Sequence, residues 1–195
     1  MDTQHTTGTP AKPSPRDRLL DAATELFYRE GVNTGIDALC KAAGVSKRSM
    51  YQLFDSKDEV LAAGLERRAP AYAAQLLPDA EDARPPRARM LHVFERLEEA
   101  SRADGYRGCP YLAAQVELKD PEHPASVVAG RVKRALTDFF RGEAELGGAA
   151  DPALLARQLT LVFDGASARA GSGGESLAGL AVPTAAALLD AAGVR

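Results

Sequence analysis

Hydrophobic positions along this chain recur every three or four residues, in segments punctuated by Pro and Gly, and few segments alternate with period two. That period belongs to amphipathic helices, so the pattern predicts an all-α protein. Ser14 can cap a first helix, Pro15 suits its first position, and Asp17 falls in the first turn, where the helix dipole favours an acid. Leu19, Leu20, Ala23, Leu26 and Phe27 then share one face, and Gly31 can end the helix. After Thr34 a shorter helix places Ile36, Leu39, Cys40 and Ala43 at helical spacing and closes at Gly44. Ser46 is an N-cap for the next one, SKRSMYQLF, whose inward residues are Met50 and Phe54, with Val45 packing from the turn. Ser56 followed by Glu59 is a capping box opening a longer helix through Val60, Leu61 and Leu65 toward Leu77, with Pro70 expected to kink it.

Breakers at Pro78, Pro85-Pro86, Gly108, Pro121, Gly147-Gly148 and Gly171 to Gly174 divide the remainder into further helices, about nine in all. The stretches Asp151 to Ala170 and Ser176 to Ala192 are rich in Ala and Leu and low in charge, as helices that bury broad faces are. Residues 1–15 hold three prolines and four threonines and almost nothing apolar, so they are expected to form a disordered tail.

Composition narrows the function. No stretch approaches the roughly 18 uninterrupted apolar residues of a spanning helix, and Met1 to Pro15 lacks the apolar core of a secretory signal. The two cysteines, Cys40 and Cys109, cannot make a disulfide framework and fit a reducing, cytoplasmic setting. The formal net charge is −3, with Lys+Arg 8 against Asp+Glu 9 in residues 1–60 and 16 against 18 beyond. A nucleic-acid role must therefore rest on a local patch.

Such a patch lies in TGIDALCKAAGVSKRSMYQLFDSK, Thr34 to Lys57. A short amphipathic helix, a turn containing Gly44 and a second short helix with a polar outer face make the layout of a helix-turn-helix. From Lys41 to Lys57 four basic residues face one acid, Asp55, a local charge of +3. Lys47, Arg48 and Lys57 supply positive charge toward phosphates, and Tyr51, Ser46 and Thr34 can donate to phosphate oxygens. Gln52, Ser49 and Arg48 can reach base edges in the major groove, Gln matching adenine and Arg guanine. The plainer alternative is a core helix pair with a charged outer face.

The run from Arg18 to Leu65, in particular DRLLDAATELFYREG followed by AAGVSKRSMYQLFDSKDEVLAAGL, resembles the N-terminal DNA-binding region of the TetR family of bacterial transcriptional regulators. The Gly-Val-Ser turn at Gly44 to Ser46, Tyr51, Phe54 and Ser56-Lys57 carry the likeness in register, over about a quarter of the chain. The resemblance implies that Tyr51 and Lys57 contact phosphates, that Thr34 anchors the start of the second helix to the DNA backbone, and that Lys47, Ser49 and Gln52 face the groove. Arg48 stands where the family often has Gly, Leu53 where it often has His or Tyr, and the loop VNTGID is about one residue shorter than the usual form. It also implies a head over 16–60, a body over 61–195 that binds a small-molecule effector, a homodimer, and a repressor acting on double-stranded operator DNA.

Within the body, Leu91, Phe94 and Leu97, then Tyr111, Leu112, Gln115 and Val116, then Leu136, Phe139 and Phe140 are candidates to line an apolar pocket, the plainer alternative being that they are core. Cys109, in RGCPY, can cap a helix starting at Pro110; a positive helix end and Arg107 would then activate its thiol, as in TetR-type regulators that sense electrophiles or oxidants. The alternative is a small buried thiol. An enzyme is not expected. The histidines His5, His92 and His123 form no Glu-x-x-His pair, and no phosphate loop, Cys-x-x-Cys or nucleophile elbow is present, so neither metal nor cofactor is anticipated. His123, in DPEHP, is expected in a solvated turn. A helical adaptor that binds protein would have lost the phosphate contacts, and Tyr51 and Lys57 argue against it.

Overall fold

A computed structural model of the chain describes residues 13–173 and 176–195. Among the described residues there are nine α-helices and no strand: α1 (Pro15–Glu30), α2 (Ile36–Ala43), α3 (Lys47–Leu53), α4 (Lys57–Leu76), α5 (Pro86–Ala100), α6 (Pro110–Leu118), α7 (Pro124–Leu146), α8 (Pro152–Gly171) and α9 (Ala181–Ala191). Proline opens α1, α5, α6, α7 and α8, where its missing N–H costs no intrahelical bond. The side chains of Ser14, Ser46, Ser56 and Asp151 accept from backbone N–H groups in the first turns they precede. Most of the tail expected over 1–15, and Gly174, lie outside the described residues; Ser14 and Pro15 already belong to α1 and its cap.

The helices pack as one continuous core. α1 lies on α4 and α2, α7 lies on α4, α6 and α8, and α5 and α8 flank α9. At the centre of the body Phe94 stacks on Phe140 with ring centroids 5.7 Å apart, and Tyr72 meets Tyr111 edge-on at 5.0 Å. Each such side chain contributes about 1.5–3 kcal/mol through burial. Helix α4 runs through Pro70, which is exposed, so losing that one N–H does not end the helix. One expectation changes. Helix α9 begins at Ala181, not near Ser176, because the acceptor for its first N–H groups comes from another helix. The buried carboxylate of Glu98 on α5 accepts from the N–H groups of Ala181 at 3.0 Å and Val182 at 3.1 Å.

Glu98 thus gives charge-assisted acceptance to two donors at a buried helix end. Glu98→Ala is expected to lower the unfolding free energy by about 2–4 kcal/mol, and Glu98→Gln, which keeps an acceptor oxygen, by roughly half of that. Urea denaturation followed by circular dichroism checks both; equal losses for the two variants would contradict the capping role.

Candidate nucleic-acid interface

The turn between α2 and α3 is built from Gly44 and Ser46. Gly44 takes the left-handed conformation (φ 60°) that ends α2, and its N–H returns to the Cys40 and Lys41 carbonyls. Ser46 Oγ accepts from Ser49 N at 3.0 Å and lies 2.9 Å from Ser49 Oγ. Val45, Met50 and Phe54 are buried, as their spacing predicts, which fixes the rotation of α3 about its axis. A clamp from α1 completes the unit: Arg18 Nε donates to the Ala43 carbonyl at 3.1 Å, satisfying one of the free carbonyls at the end of α2.

The outward face of α3 presents Arg48, Tyr51 and Gln52, all exposed, with Tyr51 at 56%. Lys47 is on the same helix, but its ammonium is 2.7 Å from the Asp37 carboxylate, a hydrogen bond that raises its pKa. The local charge of +3 over Lys41 to Lys57 thus omits the neighbour that offsets part of it. Leu53 is exposed beside these groups. The face combines a fork-shaped donor, a phenol and an amide, which suits phosphates and base edges.

Two residues expected to touch the DNA backbone are committed elsewhere. Thr34 is only 8% exposed, and its hydroxyl donates to the Gly31 carbonyl at 2.9 Å. Lys57 Nζ donates to the carbonyls of Val32 at 3.0 Å and Thr34 at 3.2 Å. Both hold the loop that leads into α2. Ser46 and Ser49 are tied to each other as a cap, so the groups of α3 without a hydrogen-bond or ion-pair partner among the described residues are Arg48, Tyr51 and Gln52. Sequence reasoning missed the other side of that loop. Glu117 Oε2, from α6, accepts from Val32 N at 2.8 Å. Gly31, at φ 85°, leaves room for it: a Cβ there would sit 2.6 Å from the same oxygen. The Ser56–Glu59 box is also shifted by one residue, since the Glu59 carboxylate accepts from Asp55 N at 2.7 Å.

In the body, most of the candidate pocket residues form core. Phe94, Leu97, Tyr111 and Phe140 are essentially inaccessible, and Leu91, Leu112, Gln115 and Phe139 are half-buried. Large aromatic groups gain most from complete burial, so they pack on one another. A cavity of about 270 Å³ lies between α4, α7 and α8, walled by Pro70, Tyr72, Leu76, Cys109, Leu136 and Phe163, and of the candidates only Leu136 borders it. Cys109 does cap α6, but it is 3% exposed, and its N–H donates to Ser167 Oγ at 2.6 Å. The Arg107 side chain is directed to the Tyr106 carbonyl instead, at 3.5 Å. Burial first, then the adjoining Cys109, pushes the Tyr72 hydroxyl well above its ordinary pKa. His123 is not in a solvated turn: Nδ1 accepts from Ala125 N to cap α7, and Nε2 lies 3.4 Å from the Asp58 carboxylate on α4. Among the described residues no cluster of His, Cys, Asp and Glu is arranged to hold a metal, and no helix is long and apolar enough to cross a membrane.

Residues 19–63 match the model of the bacterial regulatory proteins, tetR family. The crystal structure of a putative TetR-type transcriptional regulator from Streptomyces avermitilis MA-4680 is 63% identical, covers 94% of this chain and 100% of that one, and superposes with a TM-score of 0.92. A TetR-family regulator from Streptomyces coelicolor, SCO4454, shares the fold at 24% identity, with 92% and 96% coverage and a TM-score of 0.76. The HTH-type transcriptional regulator YjdC of Escherichia coli K12 is 25% identical over 158 residues, 79% of this chain and 82% of its own.

Because Lys57 bridges two carbonyls of the loop, Lys57→Ala is expected to lower the unfolding free energy by about 1–3 kcal/mol. Arg48→Ala, at an exposed site with no hydrogen bond or ion pair among the described residues, should stay within about 0.5 kcal/mol. Chemical denaturation of the two variants distinguishes the loop-holding residue from the free one.

Proposed function

Because this chain belongs to the TetR family of bacterial transcriptional regulators, we propose that it works as a homodimeric repressor released from its operator by a small molecule. It is a DNA-binding regulator and not an enzyme. The observation that carries the proposal is the exposed set Arg48, Tyr51 and Gln52 on a helix whose inward face is locked by Met50 and Phe54. In this reading residues 16–60 form the DNA-binding head and 61–195 the effector-binding and dimerising body, working in the cytoplasm. Arg48 and Gln52 read bases, Tyr51 donates to phosphate, and Lys47 exchanges Asp37 for phosphate on docking. Thr34 and Lys57 support that surface from behind.

Dimerisation is assigned to α8 and α9. Leu154, Leu161, Gly165 and Ala168 of α8 are exposed along one stripe, Leu161 at 73%, and the small residues let a second copy approach closely. A twofold dimer sets two recognition helices roughly 34–36 Å apart, one turn of DNA. The effector site is the cavity beside Tyr72 and Leu136, against which α4 carries Ala69, Pro70 and Ala73. Since α4 begins at Lys57 under the head, a ligand that prefers a rotated α4 changes the spacing of the recognition helices. A hundredfold loss of operator affinity needs about 2.7 kcal/mol of coupling, and operator DNA must weaken ligand binding by the same factor. The competing trigger is Cys109, whose place in the wall of that cavity puts a thiol within reach of anything that enters.

Gln52→Ala is expected to relax base preference at one position per half-site by about 1–3 kcal/mol, while Tyr51→Phe weakens binding to all sequences alike. Competition binding against a randomised operator library reads both, and unchanged preference in Gln52→Ala would remove α3 from the groove. Leu161→Glu is expected to convert the dimer to monomer in sedimentation at micromolar concentration; a wild-type chain that is already monomeric there contradicts the assembly. If Cys109→Ser abolishes release from DNA by an oxidant, the trigger is the thiol and not a reversibly bound ligand.

A further inference from the structure

We infer that the cleft where α1, α4 and α6 meet is a second small-molecule site, one that takes an organic carboxylate with an apolar body. It lies apart from the body cavity and shares none of that cavity's walls. Its volume is about 360 Å³, within the ordinary range for ligand sites. Ala23, Phe27, Leu61, Leu65 and Ala114 give it an apolar floor.

The donors gather around Tyr28. Its hydroxyl accepts from Arg107 N at 2.8 Å, which leaves its own O–H to donate. The Arg68 guanidinium lies over the Tyr28 ring, 5.0 Å from its centroid, and the Arg107 side chain borders the same cleft. Neither arginine has a carboxylate partner among the described residues, whereas Arg29, the third arginine of the lining, is paired with Glu25. The acidic residues of the lining are Glu30 and Glu117, both on the side of Gly31 and Val32, where Glu117 is held by the Val32 N–H. One end of the cleft is therefore cationic and the other closed to anions. A planar guanidinium matches a carboxylate in two parallel hydrogen bonds, which orients the ligand with its charge toward Arg68 and Arg107 and its apolar part on the floor. Both arginines reach solvent, so the interaction weakens as salt rises. The far end of an occupant would rest against the loop held by Glu117, and so against the path into α2.

The test is a titration of the ¹⁵N-labelled full-length protein with 2-naphthoate, followed by amide chemical shifts, with 2-naphthamide as the uncharged control. The expected result is saturable shifts at Thr24, Val32, Ala113 and Ala114. Affinity should fall by about tenfold for the amide and for the Arg68→Ala/Arg107→Ala double variant. Tyr28→Phe keeps the ring beneath Arg68 and removes only the hydroxyl; it should weaken naphthoate severalfold while leaving the amide unaffected, which keeps the test valid should the double variant fold poorly. No saturable binding into the low millimolar range, equal affinity for naphthoate and naphthamide, or shifts confined to Ala73, Val132 and Leu136 around the body cavity would each overturn the assignment.

Discussion

The peptide on either side of Val32 is held from two directions, by the Glu117 carboxylate on its N–H and by the Lys57 ammonium on its carbonyl. These groups come from α6 and α4, and the loop they grip leads within four residues into α2. Helices α2 and α3 have 8 and 7 residues, far below the roughly 12–15 at which an isolated helix becomes even marginally stable. Their orientation is therefore inherited from what they pack on. Arg18 fixes the end of α2, Met50 and Phe54 fix the roll of α3, and the grip on Val32 fixes where the pair begins. Gly31 makes this possible, because any side chain there would occupy the space of the Glu117 carboxylate.

Helix α4 joins this grip to the rest of the molecule. Along its length it meets the body at His123 through Asp58, at Tyr111 through the Leu65 carbonyl, and at Arg131 through Glu66. The exposed ion pair contributes little, about 0–1 kcal/mol, so cohesion comes from the buried Val60, Leu61 and Leu65. The polar contacts set register: a turn of α4 about its axis would break them in sequence. A cavity on one flank of α4 and a cleft on another place two sets of walls against the same helix.

Much of this was legible where cause and effect lie within a few residues. Ser14, Ser46 and Ser56 cap because their hydroxyls reach N–H groups three residues on, and Gly44 ends α2 because a left-handed residue is needed there. The contacts that escaped sequence reasoning are long-range. Arg18 reaches Ala43 across 25 residues, Glu98 reaches Ala181 across 83, and Glu117 reaches Val32 across 85. Each is a charged residue on a helix, which by pattern alone reads as part of a solvated face. The loop contacts of Lys57 escaped for the same reason, since a lysine beside a helix-turn-helix looks available until the carbonyls it bridges are seen. Phe94, Leu97, Tyr111 and Phe140 could not be told from pocket residues in the sequence, because aromatic and aliphatic side chains look alike whether they line a void or fill it.

The Asp37–Lys47 pair alters how electrolyte should act on the DNA complex. A free lysine that meets a phosphate displaces a condensed cation from the DNA, and that release gives protein–DNA affinity its steep dependence on salt. In the docking proposed above, Lys47, already paired with the Asp37 carboxylate, would swap one anion for another and leave that carboxylate facing the polyanion. That carboxylate then draws a cation of its own back to the interface. Ion uptake at Asp37 offsets ion release at the phosphate, so the complex should be less sensitive to ionic strength than a tally of its lysines and arginines suggests.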